Sequence, residues 1–466
     1  MTRATYDPAP LLSRRAVIGG SLALAAGLAG GLPAASAAPA GPTTPRGLAP
    51  GRSQDAACAF LDAMTDRWAG PGAPRLAQSY SDQNGLFSTA FVYDNALAVC
   101  AYLGGTRKAT RTRAVQLGDG LLYAMDHDPG YSDGRLRQAY NVGPYTFYDG
   151  SPQPYGFVLP DGDANIGWQF GFLGTAVGDM AWPGIALVQL GAREKEERFT
   201  AGAVRIARWI VDNAYSTLPL GGFSFGVDAA NHKVLAHSTE HNIDCYAFFT
   251  MLTELTGDGQ WTEHAEHALA FVEEMWEPGG GFFYTGSNDG IAINPSPKPL
   301  DVQTWSWLAL RDDRFAASLD WAGSTLAVTD TPTSPGSQLP AGTTFTGVTF
   351  SDVSKTSGAS YNGLPVDPDG VWLEGTGQLV CALVDRDQEG DSARAQALLA
   401  QVRGVQATLG GGQTVGGQPV SGGIVAASSL LDTGFGFSYA QSQHVGATSW
   451  YLMGSRHKNP MQYREL

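Results

Sequence analysis

Six segments of this 466-residue chain place acidic, amide, imidazole or aromatic side chains at the start of an apolar run. They are Tyr93-Asp94-Asn95, Asp179 with Trp182, Thr239-Glu240-His241-Asn242 with Asp244, Asp301 with Gln303 and Trp305, Trp372 with Glu374 and Gln378, and His444 with Trp450. Two carboxyl groups facing each other across a sugar, one an acid and one a base or nucleophile, can cleave a glycosidic bond. Flat aromatic faces beside them would stack on sugar rings.

Each position also has a plainer reading. The helix dipole alone favours Asp or Glu in a first helical turn, and Ser238 or Thr239 can act as a cap. Glu240 stands out because TEHNID crowds an acid, an imidazole, an amide and a second acid at one helix entrance. Asp244 and the apolar Phe248 and Phe249 nearby would raise its pKa, as a general acid requires. Glu374 in WLEGTGQ has small neighbours that let a ligand approach, and Asp94 in VYDNALA heads a similar apolar run. Glu240, Glu374 and Asp94 are therefore the catalytic candidates, with Glu240 protonating the leaving oxygen and Glu374 or Asp94 activating water. His241, Asp244, Asp301 and Gln378 are expected to hold sugar hydroxyls, and Tyr93, Trp182, Trp305 and Trp372 to form cleft walls. His444 joins the substrate-binding set, although a lone histidine there is more often a core or cap residue.

The elements that would carry these residues recur along the chain. Apolar, small-residue runs at 90–103, 178–190, 239–255, 300–310, 371–383 and 444–453 are each followed, except the last, by an amphipathic stretch. Those stretches span 107–125, 193–214, 261–276, 313–326 and 388–402, and a segment at 54–68 is the twelfth member. Helices apolar all round are buried, and helices with one polar face lie outside. The pattern predicts an all-α (α/α)6 toroid whose inner helices run the same way and open their N-termini on one face. Repeated units of this kind bury a core only together. An α-solenoid or a two-domain helical protein is the competing architecture. Long connections at 126–172, 277–299, 329–370 and 409–440 read as ligand-facing, and 329–360 alternates as strands do.

Composition narrows the function further. A net charge of −15 argues against nucleic acid and anionic membrane surfaces as partners, and against polyanionic substrates. Arg14-Arg15, a mild h-region and Ala35-Ser36-Ala37 read as a twin-arginine export signal cut near Ala37. The domain plan is thus a signal over 1–37, a loose lead-in over 38–53 and one catalytic domain over 54–466, secreted through the Tat machinery. Cys58, Cys100, Cys245 and Cys381 fall in apolar runs and read as buried thiols, with Cys58–Cys100 the pair to join if any do. DGDAN at 161–165 opens like a calcium loop but lacks the later glutamate, so a turn or a rim supplying Asp163 is expected. No HExxH or P-loop is present, and neither a metal nor a cofactor is expected.

YDNALAVCAYL, STEHNIDCYAFF, LDVQTWSWLAL and VWLEGTGQLVCAL resemble the helix-entry motifs of the six-hairpin glycosidase-like, (α/α)6-barrel group of secreted bacterial proteins. The likeness runs from Asp55 to Gly454. The Glu-Gly-x-x-Gln at Glu374 is similar to the Glu-Gly-Gln element of glycoside hydrolase family 8, with a different spacing. The resemblance implies a carbohydrate substrate, commonly cleaved with inversion by an acid and a base on opposite inner helices. Polysaccharide lyases and sugar epimerases share the fold, so it speaks for architecture more than for reaction. A lyase would use Tyr93, Tyr246 or His241 as base, and a non-catalytic glycan-binding protein would need only the aromatic rim.

Overall fold

The computed structural model describes residues 43–167 and 172–466. The export signal with Arg14 and Arg15, its cleavage point near Ala37, and Trp168 lie outside the described residues. Twelve α-helices are found among those described. Six form an inner ring: α2 (Val92–Leu103), α4 (Val177–Glu194), α6 (Thr239–Thr256), α8 (Asp301–Leu310), α10 (Leu373–Arg386) and α12 (Val445–Ser455). Each packs on the next, and α12 packs back on α2, so the ring closes. Outside it, α3 (Lys108–Asp126), α5 (Glu197–Ala214), α7 (Gln260–Glu274), α9 (Ala317–Thr325), α11 (Asp391–Thr408) and α1 (Pro50–Asp66) lie against α2, α4, α6, α8, α10 and α12 in turn. This is the (α/α)6 toroid expected from the alternation of apolar and amphipathic runs.

The ring positions follow from burial. Every residue of α2 is buried, as suits a helix packed on all sides. The outer α5 buries only one stripe, including Phe199, Ala203, Ile206 and Ile210, at helical spacing. Inner helices pass to their outer partners through short turns such as 195–196 and 257–259. Gly257 closes α6 in the left-handed conformation that glycine adopts most cheaply. The returns from outer to inner helices are long and carry two- and three-stranded antiparallel sheets. One pairs Ala327–Asp330 with Phe345–Val348, where alternation predicts strands. All the long connections therefore lie on the face where the inner helices begin.

One contact recurs at every inner helix and sets its height. A first-turn residue accepts the backbone N–H of the long connection just before it. Asn95 Oδ1 takes Ala77 N at 2.7 Å, Met180 Sδ takes Leu136 N at 3.1 Å, and Asn242 Oδ1 takes Phe223 N at 2.8 Å. Gln303 Oε1 takes Phe283 N at 2.8 Å, Thr376 Oγ1 takes Val348 N at 3.3 Å, and Thr448 Oγ1 takes Ile424 N at 2.9 Å. The amides of Asn95, Asn242 and Gln303 also donate to the carbonyls of Ala77, Phe223 and Phe283. Those three side chains clamp both backbone polar groups of one buried residue, which would otherwise cost about 1–3 kcal/mol each to leave unpaired.

Below this level the axis is filled. Trp182, Trp305 and Trp450 are fully buried, with centroids 5.2, 5.8 and 6.0 Å apart. Burying each of these side chains contributes roughly 2–3 kcal/mol. The four cysteines are free thiols, so no Cys58–Cys100 bridge forms, and burial pushes the Cys100 and Cys381 thiols well up. The lead-in is less loose than its composition suggests. Thr43 bridges Thr343, and α1 starts at Pro50, four residues before the expected domain start. Proline is favoured in the first helical turn because its missing N–H is not needed there. DGDAN forms a turn, with Asp163 N donating to Asp161 Oδ1 at 3.1 Å, and no metal-binding group of three ligands occurs among the described residues.

A buried carboxyl pair ties together the connections before α10 and α12. Asp330 accepts hydroxyls from Ser337, Ser428 and Ser429 at 2.7, 2.6 and 2.7 Å. Burial first, then the adjacent Asp330, pushes the Asp367 carboxyl up to about 7. The folded state therefore holds a proton on Asp367 that the unfolded chain releases near pH 4. The stability this proton confers is present at low pH and declines as pH rises through that window. Between pH 5 and 7, unfolding free energy of the wild type relative to Asp367→Asn should fall by roughly 1 kcal/mol per pH unit. Parallel denaturation curves at pH 5, 6 and 7 check this, and a difference that stays constant would contradict it.

Candidate active site

The repeated clamp gives the site its register. In a helix, residues two before and two after a given position point roughly opposite to it, and they stand one turn apart on a common face. The clamps face the long connections, so those flanking residues face the axis. Two residues before each clamp stand Tyr93, Gly178, Glu240, Asp301, Glu374 and Gly446, forming an upper tier. Two residues after stand Leu97, Trp182, Asp244, Trp305, Gln378 and Trp450, forming a lower one. Glu240, Asp301 and Glu374 thus occupy the same level on the consecutive inner helices α6, α8 and α10. Across from them the ring carries glycine on α4 and α12, with Tyr93 between on α2.

Contacts across the ring follow this register. Tyr93 donates its hydroxyl to Glu374 Oε1 at 2.7 Å, and Gln378 Nε2 donates to the same oxygen at 3.4 Å from one turn below. Trp450 Nε1 donates to the Tyr93 hydroxyl at 3.1 Å. Thr304 donates to Gln378 Oε1 at 3.4 Å, which turns the amide nitrogen towards Glu374. The Tyr93 ring meets Trp182 and Trp305 at 5.6 and 6.1 Å.

Asp94 and His444 form a second unit at the edge of this group. His444 caps α12, and its Nδ1 accepts the Ala447 N–H at 3.3 Å. That bond places the proton on Nε2, which faces both Asp94 oxygens at 3.1 and 3.2 Å. The other side of the ring is 3.6 Å from Glu374 Oε2. Tyr80 lies flat on the imidazole with centroids 4.1 Å apart and planes at 4°. Gly446 is required here, because a Cβ would come within 2.7 Å of Asp94 Oδ1.

The structure brings most of the sequence candidates together. Glu240, Asp244, Asp301, Glu374 and Gln378 are buried at the axis with Tyr93, and Asp94 and His444 pair beside them. His241 is buried against Phe225, 4.7 Å between centroids, one step off the axis. Asp179 accepts Gln138 Nε2 at 3.2 Å. The tryptophans need correction. Trp182 and Trp305 belong to the buried axial cluster one turn down, where they floor the site rather than wall it. Trp372 is the N-cap residue of α10 and packs on Phe350 and Tyr439 at 4.6 and 5.8 Å, so it wedges a connection in place. A bulky indole at an inner-helix entrance reads the same in sequence whether it faces a ligand or a loop. Tyr80 and Gln138 escaped the sequence reading because each lies in a connection far along the chain from what it touches.

No family model matches the chain, and no curated protein does. Solved structures do. A cellobiose 2-epimerase from Bacillus thermoamylovorans superposes with a TM-score of 0.57 at 10% identity, covering 87% of this chain and 99% of its own. A glycosidase variant in complex with glucose gives 0.54 at 13% identity, covering 88% and 97%. A family 76 glycoside hydrolase from a bovine Bacteroides thetaiotaomicron strain gives 0.53 at 9%, covering 87% and 76%. The chain has the six-hairpin glycosidase fold. In a six-hairpin ring the six clamps count the hairpins, and the tier they define is the natural place to test chemistry. Tyr93→Phe removes a buried hydroxyl that both gives and takes a hydrogen bond there. It should lower unfolding free energy by about 1–3 kcal/mol, read by chemical denaturation, and a change within error would break the link between Tyr93 and Glu374.

Proposed function

We propose that this protein is a secreted glycoside hydrolase acting on a poly- or oligosaccharide by carboxylate acid and base catalysis with inversion. The observation that carries the reading is the tier of Glu240, Asp301 and Glu374, three carboxyl side chains at equivalent positions of one ring. Glu240 protonates the leaving glycosidic oxygen. Glu374 takes the proton from a water that attacks the anomeric carbon from the other face. Tyr93 and Gln378 orient Glu374. Asp94 has both oxygens on His444, which makes it a partner of that imidazole and favours Glu374 over Asp94 as the base. Asp244 and Asp301 are left to hold sugar hydroxyls, while His241, buried against Phe225 off the axis, drops out of that set. The glycosidases among the solved structures of similar fold agree with this chemistry.

Glu240→Gln and Glu374→Gln should each lower kcat by about 10²–10⁴-fold with far smaller changes in KM. The measurement is release of new reducing ends from a panel of neutral polysaccharides, and wild-type turnover in either variant would refute its assignment. A second reading rests on His444, an imidazole held between two carboxylates and so able to carry a proton. That arrangement also suits moving hydrogen at a sugar carbon beside a carbonyl, and an epimerase and a mannose isomerase share the fold. Incubation of free reducing sugars in D₂O separates the two. Deuterium entering carbon, without new reducing ends, would transfer the assignment to an isomerase or epimerase.

Export is part of the same proposal. The chain leaves the cell through the Tat machinery and functions outside, with neither nucleic acid nor membrane as a partner. No helix among the described residues is long and apolar enough to cross a membrane. Replacing Arg14 and Arg15 together by lysine should hold the precursor inside the cell, while the wild type appears outside with a mature N-terminus just after Ala37. Fractionation and N-terminal sequencing decide it, and equal export of both forms would remove the Tat assignment.

A further inference from the structure

On the face where the inner helices begin, three connections meet in a groove of about 710 Å³. They are the ones preceding α2, α4 and α12, and they contribute Trp68 and Phe87, Tyr145 and Tyr148, and Gly416 and Gly417. The rings are arrayed around Phe87, with Tyr145 stacked on it at 4.6 Å and Tyr148 at 5.0 Å. Tyr148 is 60% exposed yet held in place, because its hydroxyl donates to Gly85 O at 3.0 Å. Phe87 has φ 51°, a left-handed conformation that costs a bulky residue energy and persists only where its surroundings hold it.

The walls are fixed as firmly. Asp82 accepts four bonds, from Gln78 Nε2, Thr414 Oγ1 and the backbone N–H groups of Gly416 and Gly417, at 3.1, 2.8, 3.0 and 2.9 Å. Its oxygens are therefore occupied in joining two connections, and among the described lining residues there is no lysine or arginine; Arg67, beside Trp68, is turned onto Gly416 O. A floor of rigid aromatic rings with polar edges and no spare charge suits a neutral sugar chain, whose pyranose rings have one apolar face and outward hydroxyls. The groove is built from connections on the face where the inner helices that carry the tier begin. Tyr80 lies on His444, and seven residues later the chain reaches Phe87, so the two places are no more than about 25 Å apart.

We propose that this groove is a remote subsite that holds a neutral polysaccharide strand whose other part lies over the Glu240–Glu374 tier. It rests on the glycan-acting reading above and adds that the substrate is a long neutral polymer rather than a short oligosaccharide. The test is affinity electrophoresis of the mature wild type, Tyr148→Ala, Tyr145→Ala and Glu240→Gln in native gels containing glucomannan, arabinogalactan, dextran, mannan or, as the anionic comparison, polygalacturonate. At least one neutral polymer should retard the wild type and Glu240→Gln equally, with apparent affinity about five- to tenfold weaker in the two tyrosine variants. Tyr148 is at the surface, so its variant folds even if Tyr145→Ala does not. No retardation by any polymer, equal retardation of Tyr148→Ala, or retardation only by anionic polygalacturonate would overturn the subsite. Retardation without turnover would sink the hydrolase alone, and turnover without retardation would sink the subsite alone.

Discussion

The structure depends on a side chain in the first turn of each inner helix satisfying the backbone of the connection that precedes it. Short strands at the helix starts pair neighbouring connections, as Thr89–Phe91 does with Ala139–Asn141 and Thr175–Ala176 with Gly226–Val227, and the clamps tie each helix to that belt. Ridge-and-groove packing tolerates sliding, because neighbouring turns of an apolar helix look alike to their partners. A buried N–H with a single acceptor does not tolerate it. Asn95, Met180, Asn242, Gln303, Thr376 and Thr448 supply that acceptor on six helices. Once the six are fixed, the residues two before them share one level and those two after share another. The carboxyl tier is thus a consequence of how the connections are anchored.

This explains why the acids sit where they do and why tryptophans sit beneath them. Residues four apart on one helix share a face, so Glu240 lies above Asp244, Asp301 above Trp305 and Glu374 above Gln378. The axis of a six-helix ring is too wide for aliphatic side chains to close, and three indoles with centroids within 6.0 Å fill it. They make a dry floor under the carboxyl tier. Polar groups buried above such a floor interact more strongly than in water. Gly446 lets Asp94 and His444 come close against the start of α12, where a Cβ would meet both at 2.7 Å.

Much of this was legible in the sequence, and the limits of legibility are physical. The alternation of fully apolar and one-sided helices is a property of local spacing, so the ring and its members could be read directly. The i,i+4 spacing of Glu240 with Asp244 and Glu374 with Gln378 is also local, and it placed those side chains on one face. Asp94 was read as a possible base because its own helix looks like the others, whereas its engagement with His444 joins segments 350 residues apart. The tryptophans were misread for a related reason. Their depth along the axis is set by the clamp, and a clamp is recognised only when its distant N–H is known. Without that register, an indole at the start of an inner helix could be wall, floor or wedge, and Trp182, Trp305 and Trp372 turn out to be floor, floor and wedge.

The clamp residues differ in kind, and the difference bears on where the site can move. Asn95, Asn242 and Gln303 hold both the N–H and the carbonyl of one residue in the connection, whereas Met180, Thr376 and Thr448 take only an N–H. A thioether is also a weaker acceptor than an amide oxygen. The doubly held connections precede α2, α6 and α8, and so they fix Tyr93, Glu240 and Asp301. The singly held ones precede α4, α10 and α12, where the ring presents Gly178, Glu374 and Gly446. Glu374 compensates by taking donors from Tyr93 across the ring and Gln378 below. Around Glu240, position is set by a connection held at both polar groups. Around Glu374, position is set by side chains meeting at the axis, so one wall of the site is fixed by its connections and the other by its contacts.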